Sequence, residues 1–166
     1  MFNAIVLWIH IVAAVLFVGP QVFLVVAAAP ALRTIEDVRQ RQAASRVMTR
    51  RFGMLGGGAL LVLVITGLIN YQHVNDLGYV DRNAFPRYFF ALQVKLALVA
   101  LVVVLTVLHG AVFGRRLQRL QEEGASEAEL AETRRWSMML SLATLGASMA
   151  ILFCAALLGS SWALGF

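Results

Sequence analysis

The chain has a single cysteine, Cys154, so no intramolecular disulfide can form and the redox compartment cannot be read from it. Charge is scarce: Asp, Glu, Lys and Arg make up 14% of the 166 residues, against 60% hydrophobic. A soluble domain of this length needs far more polar surface, so that class is excluded. Low-complexity segments and convincing internal repeats are missing. The N-terminus lacks a basic n-region, and its apolar run is too long for a cleaved leader, although Ala27-Ala28-Ala29 imitates a cleavage site.

What is present is four long apolar runs, about 2–29, 52–71, 88–113 and 137–162. Each reaches the ~20 residues that a helix needs to cross the hydrocarbon. Membrane strands are half that length and alternate. The expectation is an all-α integral membrane protein, one domain over 1–166, folded as a four-transmembrane-helix bundle.

The net charge of +5 is not a nucleic-acid signal, because the arginines sit in two segments flanking apolar runs. The first holds Arg33, Arg39, Arg41, Arg46, Arg50 and Arg51; the third holds Arg115, Arg116, Arg119, Arg134 and Arg135. The second holds Arg82 and Arg87, offset by Asp76 and Asp81. The positive-inside rule then predicts an up-down-up-down path with both termini outside, in the inner (plasma) membrane. Trp8, Tyr71, Tyr79, Tyr88 and Trp162 fit the outer aromatic belt and Trp136 the inner one.

Local signals refine the ends. Thr34-Ile-Glu-Asp37 reads as a capping box opening a short helix, and Ser126-Glu-Ala-Glu129 as one extending the fourth helix from 127. The third helix is expected to continue to Glu123 and stop at Gly124. Pro86 suits a first turn, and Gly19-Pro20 predicts a kink. Gly53 and Gly57 make a small-residue face, usable within the bundle or in a homo-oligomer.

Polar residues at membrane depth carry the functional signal, because a charge at the bilayer centre costs ~3 kcal/mol or more. At ~1.5 Å per residue, His10, Lys95 and Cys154 each lie roughly 10–12 Å below the outer surface, with Thr66 at that level and Gln93 beside Lys95. His109 lies ~30 Å deep, at the cytoplasmic end, near Met54 and Met138 or Met139. Each has a plain alternative. His10 can be a bonded core histidine, Lys95 can extend its ammonium to headgroups, and Cys154 and the methionines can be packing residues. Three chemistries suit the outer layer. An imidazole ligates haem while an ammonium pairs with a propionate. Imidazole, thiol and thioether suit Cu(I). Titrating groups suit a proton or small-molecule path.

Trp8-Ile-His10-Ile-Val-Ala-Ala, then Gly19 and Ala29-Pro-Ala-Leu32, resembles the first helix of the copper resistance D (CopD-like) membrane proteins. Arg51-Phe52 leading to Thr66-Gly67 resembles their second helix. Phe90-Ala-Leu-Gln-Val-Lys95-Leu with His109 resembles the third helix of this group and of the related HemJ-type protoporphyrinogen oxidases. The resemblance implies copper uptake or resistance on one branch, and haem b binding with porphyrinogen oxidation on the other. It matches His10, Lys95 and His109 to family positions. The chain departs from HemJ in having Gly19-Pro20-Gln21 where a tyrosine-leucine-proline-arginine run stands, and in lacking an asparagine-glutamate-proline ending after the third helix. The leading expectation is a copper-binding or copper-transporting protein, with His10 as principal ligand, Cys154 as second candidate, and His109 with Met54 as an inner relay. The alternatives are a haem b redox enzyme held by His10 and Lys95, and a structural or accessory subunit. Lipid, and a metal ion or porphyrin, are the expected partners.

Overall fold

A computed structural model describes residues 1–114, 116, 119–120 and 126–164, with side chains described at all of these except 113, 114, 127, 131 and 164. No strand occurs among the described residues. Four helices are long and apolar enough to cross a membrane: Phe2–Arg33, Val38–Asp76, Pro86–Val112 and Ala128–Leu158. Helices are what such a chain must form, because the hydrocarbon offers no partner for an open N–H or C=O. The contacts divide the chain into two compact units, Met1–Gly78 and Tyr79–Phe166.

The first unit is a helical hairpin. Helix α1 (Phe2–Phe23) runs through Pro20, widens into a π-helical segment at Leu24–Ala28, and continues as α2 (Ala29–Arg33). The widening falls between Pro20 and Pro30. Each proline removes an N–H and presses on the carbonyl four residues back, strain that a π turn absorbs. Helix α3 (Val38–Asp76) returns antiparallel to α1: Asn3 meets His73 at one end and the rings of Phe23 and Phe52 meet at the other, 5.9 Å apart.

The turn between them is short. Thr34 is still helical, at φ −78° and ψ −11°, and its hydroxyl donates back to the Ala31 carbonyl at 2.8 Å. It therefore caps nothing downstream. Asp37, in extended backbone, is the N-cap and accepts from the Arg39 and Gln40 amides at 2.7 and 3.2 Å. The helix it opens is not short: it spans 39 residues, so Val38 to Arg51 forms one rod with the following apolar run. At ~1.5 Å per residue this rod is about 58 Å long, nearly twice the ~30 Å of hydrocarbon. Gly78 ends it at φ +80°, a left-handed position that favours glycine.

The second unit is another hairpin. An Asp81 turn accepting from the Asn83 and Ala84 amides leads into α4 (Pro86–Leu108), with Pro86 in the first turn as expected. A second π-helical segment follows at His109–Gly114. The expected extension to Glu123 and stop at Gly124 fall largely outside the described residues. Helix α5 (Glu127–Leu158) opens on the expected capping box, Ser126 and Glu129 bonding reciprocally, and α6 (Ser161–Leu164) closes the described chain. Tyr79 packs against Phe85 and Tyr88, and Arg87 lies 5.9 Å over the Trp162 ring, so this end gathers amphipathic rings of the interfacial kind.

The α3 cap is directly testable. Asp37→Ala should cost about 1 kcal/mol. It should read as faster hydrogen exchange at the Arg39 and Gln40 amides, with the apolar half of α3 unchanged.

Candidate functional site

His10 sits on α1 where α3 brings Thr66 across from it. The His10 Nδ1 to Thr66 Oγ1 distance is 2.7 Å, and Thr66 is buried. The proton inventory settles the direction of this bond. A threonine hydroxyl has one hydrogen, and Thr66 donates it to the Val62 carbonyl at 2.6 Å. A carbonyl can only accept, so the hydrogen facing His10 must come from the imidazole. Nδ1 therefore carries the proton, and in the neutral ring Nε2 carries the lone pair. Gly67 adds a steric term: a Cβ there would meet His10 Cε1 at 3.4 Å, so the ring rests against α3 backbone. Ordering a ring through its second nitrogen is how proteins prepare an imidazole ligand.

In the second unit, Tyr88, Lys95, Val102 and His109 recur at intervals of seven, two helical turns each, and so share one face of α4. That face is the packed one: Val102 is 2% exposed, and Ala91, Leu92 and Tyr88 are buried beside it. Lys95 is half-buried on this stripe and stands within electrostatic range of Cys154 on α5, which is buried. The depth estimate that grouped Lys95 with Cys154 thus agrees with the hairpin's geometry. Gln93 is exposed and points away from that stripe.

His109 begins the second π-helical segment and is half-buried, with a buried Nδ1 that has no hydrogen-bond partner. Thr106, one turn earlier, buries its Oγ1 in the same condition. Met54 is well exposed and lines an apolar groove of about 400 Å³ with Trp8, Val12 and Gly58 among others; His10 is not part of its lining. Among the described residues, no three His, Cys, Asp or Glu side chains come together to hold a metal ion. Gly53 and Gly57 are not points of close approach within the first hairpin, since a Cβ at either would meet nothing within 4 Å. The close approaches in this hairpin are at Gly67 and at Gly56, where Phe17 lies 4.0 Å away.

Depth along the helices put Thr66 at the level of His10, and the bond between them is what the structure adds. Sequence reasoning missed Thr106 and Gln21, whose side chains bury unanswered atoms. The signal for Thr106 was its place three residues before His109 on the Lys95 stripe. Compared with models of protein families, with curated proteins and with solved structures, the chain matches none of them.

Thr66→Val keeps the shape and removes the acceptor. It should destabilise the first hairpin by roughly 1–3 kcal/mol, the cost of stranding a buried donor. The imidazole ¹⁵N shifts of His10 should move as the proton leaves its fixed position on Nδ1. Shifts unchanged from wild type would mean that Thr66 does not set the tautomer.

Proposed function

We propose that this chain is a copper-handling membrane protein, binding or carrying copper across the cytoplasmic membrane with His10 Nε2 as principal ligand. One observation carries the reading: Thr66 spends its own hydrogen on the Val62 carbonyl and so accepts from His10 Nδ1, which leaves the ligating lone pair on Nε2. Such an outer hydrogen bond orients the ring and raises its basicity toward a metal. Imidazole and thiolate both suit copper. Cys154, a buried thiol in the second unit, is the second candidate, and His109 and Met54 are candidates nearer the arginine-rich ends. The CopD-like resemblance of the first three helices supports the same reading.

A second reading is haem b. It is favoured because a single imidazole of fixed tautomer is enough for an axial ligand, whereas a copper site draws on further groups.

Protein purified from its own membrane separates the two. A Soret band means haem; a colourless preparation that binds copper stoichiometrically means the first reading. On the copper reading His10→Ala abolishes high-affinity binding, and Thr66→Val weakens it about 10- to 100-fold, the usual cost of losing such an outer partner. Unchanged binding in His10→Ala removes His10 from the mechanism.

A further inference from the structure

A pocket of about 250 Å³ opens at the arginine-rich end of the second unit, lined by Arg116, Glu132, Thr133 and Trp136. Pockets for drug-sized ligands run to roughly 300–1,000 Å³, so this one suits a small polar group. It stands where the apolar runs end. Trp136 immediately precedes the run 137–162, and Arg116 lies just beyond the run 88–113. Tryptophan collects where headgroups meet hydrocarbon, because its ring is apolar and its N–H is polar. Trp136 is 54% exposed, so its ring is open to such a neighbour.

Helix α5 supplies three of the four lining residues, and Arg116 comes from beyond the end of α4. Glu132 and Trp136, four apart, are neighbours on one face of α5. Arg116 and Glu132 are exposed and opposite in charge, yet no ion pair joins them. Arg116 also has Glu129 within electrostatic range, but Glu129 Oε2 already accepts from the Ser126 amide and hydroxyl at 3.1 and 2.8 Å. Thr133 is buried, and its hydroxyl makes no hydrogen bond among the described residues. Thr144 and Ser148, on the same helix, each donate to the carbonyl four residues earlier at 2.8 Å. The pocket thus presents a cation, an anion and a hydroxyl that do not bond to one another.

We propose that the pocket binds the headgroup of a zwitterionic phospholipid whose cation is a primary ammonium, that of a phosphatidylethanolamine. Arg116 takes the phosphodiester, a geometry that guanidinium matches. Thr133 donates to a phosphate oxygen, and Glu132 accepts from the ammonium. The lining carries both signs of charge, which is what selects a zwitterion. An anionic headgroup brings no cation for Glu132, and a choline headgroup brings no N–H for its carboxylate to accept. Trp136 sets the source as lipid rather than free phosphoethanolamine, because it stands at the edge of the apolar run where acyl chains enter the hydrocarbon. This is independent of whether copper or haem binds at His10.

Native mass spectrometry of the purified full chain tests it, with phosphatidylethanolamine and phosphatidylcholine of identical acyl chains offered in equal amounts. The wild-type chain should retain the ethanolamine lipid over the choline lipid by roughly two- to fivefold, the worth of one solvent-accessible ion pair. Glu132→Gln should bring the two lipids to parity. Arg116→Gln should lower retention of both. Soluble phosphoethanolamine, at the lipid's own concentration, should displace neither. The wild-type measurement needs no variant to fold. Equal retention in wild type, a preference for the choline lipid or for phosphatidylglycerol, a ratio that Glu132→Gln leaves unchanged, or displacement by soluble phosphoethanolamine overturns the proposal.

Discussion

Hydrocarbon gives a polar atom nothing to bond to, and most of what this chain does locally answers that fact. The backbone answers it with long helices. Hydroxyls on those helices answer it by donating to the carbonyl one turn back, as Thr66, Thr144, Ser148 and Ser141 all do. At Thr66 this local economy has a consequence across the hairpin. With its hydrogen committed to Val62, the hydroxyl can only accept, and His10 becomes the donor. A rule about backbone carbonyls thus decides which nitrogen of an imidazole is basic, and with it which atom can meet a metal.

The four apolar runs were legible because apolarity over ~20 residues has few other meanings. The extent of the helices was not. Apolar pattern reports where lipid begins, and helix reports backbone bonding; the two part company at Phe52. The arginine-, glutamine- and alanine-rich stretch from Val38 to Arg51 is made largely of good helix formers, so α3 continues through it beyond the hydrocarbon. The caps show a related limit. Thr34 and Asp37 are both capping residues by type, and only the backbone tells them apart. Thr34 closes the last turn of the preceding helix, while Asp37 is extended and opens the next. Ser126 had no such competitor, and its capping box formed as written.

At the site, rise per residue put His10, Thr66, Lys95 and Cys154 at similar depth, and within each hairpin the structure brings two of them near one another, His10 with Thr66 and Lys95 with Cys154. Depth says nothing of angle. Gln93 shares Lys95's level and lies on the exposed side. A Cβ added at Gly53 or Gly57, which share a face, would meet nothing within 4 Å, while one at Gly67, unremarkable in spacing, would meet the His10 ring at 3.4 Å.

The polar side chains of the helices differ in energetics. His10 and Thr66 meet across the first hairpin and answer one another. Gln21 in that hairpin, and Thr106 with His109 in the second, bury three atoms that are unanswered. A buried donor or acceptor left alone costs about 1–3 kcal/mol. Three together would cost several kcal/mol, against a net stability of only ~5–15 kcal/mol for an ordinary domain. Leucine or valine at these positions would cost nothing, and the neighbouring residues show that the chain uses them freely. The polar residues beside the π turns are therefore held at a cost that the hydroxyls bonded one turn back avoid.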